Sequence, residues 1–171
     1  MIVAEFMRER ARALLASVGL DAPPVDVEKV AESLGFLVTR FPFPEGTSGA
    51  TVIDGTARTI GVNERHYPTR QRFTIAHELG HYVGGHEDYH VYDSKTHMEQ
   101  GLPRWAHPGF QQEREADEFA AELLMPQPFL ERDLKQRRYT LTDLAQRYEV
   151  SPQAMVIQIT DLGLHDALAL P

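Results

Sequence analysis

The chain has 171 residues, 42% of them apolar, which is enough to bury one substantial core. Its 25 acidic and 17 basic residues give a formal charge of -8, which repels a phosphate backbone and weighs against non-specific nucleic-acid binding. There is no cysteine, so disulfides and thiolate metal sites are excluded and any zinc must be held by histidine and carboxylate.

Residues 2–18 place Val3, Phe6, Met7, Ala11, Leu14, Leu15 and Val18 at helical spacing, and Gly19 is a stop signal. Glu5, Arg8, Glu9, Arg10 and Arg12 interrupt this start before a signal-peptide core can form, and no run reaches the roughly 20 apolar residues of a membrane span. A cytoplasmic location without membrane contact is therefore expected. Asp26 is positioned to cap a helix of about two turns that closes at Gly35.

The period then changes. Phe36 to Phe41 reads as a strand, Pro42 to Gly49 as a loop, and Ala50–Asp54 with Arg58–Val62 as a hairpin about Gly55-Thr56, which predicts a small, largely antiparallel sheet. Pro68 opens a helix that carries Arg70 to Val83 and stops at Gly84-Gly85. Residues 84–110 show no period and read as a long loop, whereas Gln111 to Met125 is helical again. Helices are expected near 127–137, 141–148 and 152–162, the last with Ser151 as cap and Pro152 at its first position. The fold class is α+β and mostly helical, with residues 1–171 forming one domain and 127–171 a helical subregion.

The chemistry concentrates in His77-Glu78-Leu79-Gly80-His81. On a helix, residues four apart project in nearly the same direction, so two imidazoles can grip one tetrahedral ion. Glu78 sits about 100° round the helix, where its carboxylate reaches a water on the metal instead of the metal itself. Ile75, Ala76, Leu79 and Val83 fall on the opposite face, available for the core. Gly80 costs a helix about 1 kcal/mol relative to alanine, so something is expected to approach closely there.

A catalytic zinc takes three protein ligands and leaves a fourth position for water. The metzincin extension puts Gly84 in register, but its third-ligand position falls on Glu87, and His86 misses by one. The second long helix offers Glu113 beside the apolar stripe Ala116, Phe119, Ala120, Leu123 and Leu124, with Glu115 at the other margin as the lower-ranked alternative. Asp117, four residues after Glu113, suits a hydrogen bond to His77 or His81. Glu118 and Glu122 point away from the stripe and are expected in solvent.

Arg72 to His81, followed by Glu113 to Pro126, resembles the ImmA/IrrE family of prokaryotic metallopeptidases, and the resemblance extends from the short helix near 26 to Leu164. It implies that His77, His81 and Glu113 bind zinc and that Glu78 is the catalytic glutamate; the sequence itself does not distinguish zinc from manganese. Many members have Asn where this chain has Asp117. The resemblance further implies a gluzincin-like fold and a protein substrate, a helix-turn-helix repressor of the Xre type cut in stress response or mobile-element regulation.

In the mechanism this implies, a bound zinc would supply Lewis acidity for a water, and Glu78 would take the water's proton and pass it to the leaving amine. Tyr82, His86, Tyr89, His90, Tyr92, His97 and His107 lie on or near the long loop, and none is singled out as the oxyanion donor. Two other readings compete with the peptidase. Leu141 to Met155 has the cadence of a helix-turn-helix, which suggests a DNA-binding regulator, but the next helix carries no basic residue and reads as a packing or docking module. A non-catalytic, metal-stabilised interaction protein, such as a toxin–antitoxin component, is the other.

Overall fold

The computed structural model describes residues 2–86, 92–93, 109–136 and 138–167. Among the described residues, seven α-helices and four strands follow in the order α1 (Ile2–Ser17), α2 (Val27–Ser33), β1 (Phe36–Phe41), β2 (Thr47–Asp54), β3 (Ala57–Asn63), α3 (Pro68–Gly84), β4 (Tyr92–Asp93), α4 (Phe110–Leu124), α5 (Gln127–Leu134), α6 (Leu141–Tyr148) and α7 (Pro152–Asp161). The fold is α+β and mostly helical, as expected. Of the long loop read at 84–110, only its two ends and the short strand β4 fall within the described residues.

The sheet differs from its expected form: it is mixed, with strand order β1-β3-β2-β4. β2 and β3 make the expected hairpin, closing at Asp54 opposite Ala57, with Gly55 at φ 59° in the turn. β1, however, pairs parallel to β3, from Phe36 opposite Arg58 to Phe41 opposite Asn63. The apolar content explains the order. Ile60 and Val62 make β3 the strand with most to bury, so it takes the middle of the sheet and separates β1 from β2. Phe43, in the connection between those two strands, folds over Gly61, where an added Cβ would lie 3.0 Å from its ring.

The helices gather on one core. Met7, Ala11 and Leu15 of α1, Ile75 and Leu79 of α3, and Phe119 and Leu123 of α4 are all buried, each large side chain contributing about 1.5–3 kcal/mol. α4 lies between α1 and α3, so it is covered on two faces. This overturns the solvent placement of two glutamates. Glu118 accepts hydrogen bonds from Arg8 Nε at 3.0 Å and Nη2 at 2.7 Å. Glu122 is fully buried and accepts from the Gln127 amide at 3.0 Å, which ties the end of α4 to the start of α5.

The last helices follow the sequence closely. Thr140 and Asp143 form a capping box at the start of α6, and Ser151 accepts from the Ala154 amide at 3.1 Å at the start of α7. Gln158 on the inner face of α7 donates to the Met125 carbonyl at 3.1 Å, docking this helix onto the end of α4. No described helix is long and apolar enough to cross a membrane.

Candidate metal centre

α3 presents its histidines because its other face is committed. Ile75, Ala76 and Leu79 are buried in the core, which turns His77 and His81 toward α4. The two rings stand edge to face with centroids 4.6 Å apart. Glu113, in the first turn of α4, comes opposite them, and all three side chains are buried.

The helices meet at Gly80, the position at which a close approach is expected. A Cβ there would lie 2.8 Å from the Ala116 Cα and 2.9 Å from its carbonyl oxygen. Only a residue without a side chain lets the α4 backbone come so near, and this proximity brings Glu113 within reach of both imidazoles.

His77 Nε2 lies 3.0 Å from His81 Nε2 and 3.5 Å from Glu113 Oε2, while His81 Nε2 lies 3.2 Å from Glu113 Oε1. Tetrahedral ligands held about 2.0–2.1 Å from a zinc ion stand roughly 3.3 Å from one another, so these spacings suit a single ion. His77 Nδ1–H donates to Asp117 Oδ1 at 2.9 Å, which leaves Nε2 as the ring nitrogen facing His81 and Glu113.

The electrostatics also favour a cation. Burial works against charge on His77, but hydrogen bonds and charge from Asp117 and Glu113 outweigh it and push its pKa up to about 9. Burial likewise opposes charge on Glu113, yet its contacts with His77 and His81 hold its carboxyl well below the ordinary range. Burial lowers the His81 pKa against the pull of Glu113. A centre that favours positive charge on one imidazole and negative charge on the glutamate is electrostatically prepared for a metal ion.

Glu78 is buried against β2. Its Oε2 accepts a hydrogen bond from Thr51 Oγ1 at 2.5 Å, whereas its Oε1 is buried with no hydrogen-bond partner among the described residues. Burial raises its pKa, the Thr51 bond and the charge of His77 opposing the rise. A buried carboxylate oxygen without a donor is costly unless something else supplies one, and a water at the neighbouring metal position would do so. Thr51 had no signal in the sequence, because nothing local to β2 indicates that it meets α3.

The remaining candidates separate clearly. Glu115 and His86 bond to each other, and neither joins the three converging ligands. Tyr82 packs edge-on against Phe36, with centroids 5.0 Å apart, in a structural contact. Glu87, Tyr89, His90, His97 and His107 lie outside the described residues, as does the side chain of Tyr92. A cleft of about 790 Å³ lies between α3, α4 and α7, lined in part by Phe73, Phe110, Ala121 and Ile157; of the described candidate site residues only Asp117 lines it.

Paired helices that bring two histidines of a His-Glu-x-x-His turn onto a glutamate, inside an α+β fold, define a candidate metal centre of the metallopeptidase type. The chain belongs to the M78 peptidase family, whose IrrE N-terminal-like domain matches residues 31–160. Among solved structures, its fold is similar to a Mycobacterium tuberculosis transcriptional regulator, with 20% identity and a TM-score of 0.67 over 91% of this chain. The chain spans under half of that protein, 46% of its length. Comparison with curated proteins gives no match.

Proposed function

We propose that this chain is a zinc-dependent endopeptidase, with His77, His81 and Glu113 as metal ligands, Asp117 orienting His77, and Glu78 as the general base. The observation that carries the reading is the pair of environments on Glu78: one oxygen fixed by Thr51, the other buried without a partner beside the three ligands. Manganese would suit the same donors less well, since two imidazoles favour zinc.

A bound metal would supply Lewis acidity, making a water nucleophilic near neutral pH. The residues do the rest. Thr51 holds Glu78 in one orientation, and the raised pKa makes its carboxylate a stronger base, able to take the water's proton and deliver it to the leaving amine. Asp117 fixes the His77 tautomer.

For the substrate we propose a helix-turn-helix repressor of the Xre type, cleaved in the cytoplasm in stress response or mobile-element regulation, which rests on the family. α6 and α7 are read as a docking module within one domain of residues 1–171, because α7 spends its inner face on α4 and carries no basic residue outward.

The test is Glu78→Gln, measured on zinc-loaded protein against a panel of such repressors. The variant should keep its metal and lose cleavage by about 10²–10⁴-fold. Turnover within a few-fold of the unaltered chain would remove Glu78 from its role.

A further inference from the structure

The two histidines are supported in different ways. His77 leans directly on a carboxylate, Asp117. His81 leans on a third imidazole: its Nδ1 lies 3.0 Å from His86 Nδ1, and His86 Nε2 lies 2.9 Å from Glu115 Oε2. Glu115 is itself held from the far side, where Gln111 Nε2 donates to its Oε1 at 2.8 Å.

The carboxylate sets the direction of this chain. An ionised glutamate only accepts, so His86 Nε2 must donate to it. A neutral imidazole protonated at Nε2 has a bare Nδ1, which accepts from His81 Nδ1–H. His81 Nε2 then carries the lone pair, and it faces His77 and Glu113.

The backbone is built to deliver this ring. Gly85 adopts φ 71° and ends α3 in the left-handed conformation, so that the His86 amide donates to the His81 carbonyl at 3.0 Å. The chain turns back on itself there. Gly84 leaves the room: a Cβ on it would lie 2.6 Å from His86 Nε2. One glycine makes the turn and the other clears the space, and the folded-back His86 side chain is only 5% exposed.

We propose that His86 is a positioning residue of the metal centre, an imidazole bridge through which Glu115 holds His81 with Nδ1 protonated and Nε2 aimed at the metal. The inference rests on the metal-site reading above but not on peptidase activity. It explains why His86, one residue short of the third-ligand position of the metzincin pattern, sits outside the ligand set: it supports His81 from behind.

The test is zinc affinity of the full chain without substrate, by competition with a chelating indicator, for wild type, His86→Ala, His86→Gln, Glu115→Ala and the double alanine variant. His86→Ala should weaken zinc binding about 10–100-fold. His86→Gln, whose amide can accept from His81 and donate to Glu115, should recover most of that loss. Because Glu115 acts through His86, the double variant should bind no more weakly than His86→Ala alone.

In zinc-loaded wild type, nitrogen-resolved NMR should detect the His81 Nδ1–H proton shielded from exchange, and His86→Ala should lose that signal. Additive losses in the double variant, or no rescue by glutamine, would overturn the bridge. Unchanged affinity in His86→Ala would do the same while leaving the peptidase reading intact, and no zinc uptake by wild type would sink both. Tight, His86-dependent zinc binding without any cleavage would keep the bridge and discard the peptidase.

Discussion

The two ends of α4 each bury a glutamate, and the surroundings shift their pKa values in opposite directions. Glu113 in the first turn faces two imidazoles, which hold its carboxyl well below the ordinary range. Glu122 in the last turns is also buried, and desolvation raises its pKa to about 7 despite the Gln127 amide, Arg12 and Arg8, with Glu5 adding to the rise. Burial alone therefore does not mark a functional carboxylate. What separates them is the partner: two convergent imidazoles at one end prepare a place for a cation, while at the other an amide and a guanidinium no nearer than the 3.5 Å of Arg12 Nη1 do not offset the cost of burial, and the carboxyl pKa rises.

The largest expected effect tests the first half of that comparison. Glu113→Ala should lower zinc from about one ion per chain to below about a tenth, read by mass spectrometry of protein purified without chelator, whereas Glu122→Ala should leave the metal in place. Loss of metal from both variants would mean that the two carboxylates are coupled through α4.

The next effect concerns pH. The folded chain holds the Glu122 proton more tightly than the unfolded chain, so stability from this group is complete below pH 4.5 and is lost as pH rises through about 7. The difference of about 2.5 pKa units corresponds to roughly 3 kcal/mol. Glu122→Gln keeps an acceptor for the Gln127 amide and should be more stable than wild type by that order at pH 8. The two should agree near pH 4 in urea titrations at both values, and parallel pH profiles would show that Glu122 is ionised at no appreciable cost.

The smallest effect tests what brings Glu113 to the histidines. Gly80→Ala gains about 1 kcal/mol of helix propensity but pushes a methyl group into the Ala116 backbone. A net loss of about 2 kcal/mol is expected, seen as a fall of about 4–8 °C in Tm, with weaker zinc binding alongside. A stabilised variant would place the two helices further apart than 2.8 Å allows.

Much of this was legible because it is local. The spacing of His77 and His81, the apolar back of α3, the cap at Ser151 and the glycine at position 80 each state a short-range requirement that the fold satisfies. Glu113 was readable too, as a carboxylate beside an apolar stripe. The burial of Glu122 does not show in the apolar stripe of α4, because α1, from the other end of the chain, covers a second face of that helix. The parallel pairing of β1 was hidden for a similar reason, since no residue in Phe36–Phe41 announces that β3 will come between it and β2. Thr51 and the His86–Glu115 pair depend on contacts 27 and 29 residues apart in sequence, for which no spacing rule exists.

The meeting of Gly80 with Ala116 also bears on how the chain would exchange its metal. Helices in backbone contact cannot slide or spread without breaking that contact, so the donors remain gathered whether or not an ion sits among them. Most of the ordering entropy of the three side chains is then met during folding, and capture of an ion becomes a rapid local event instead of a refolding step. Such a centre could be emptied and refilled while the surrounding fold keeps its shape.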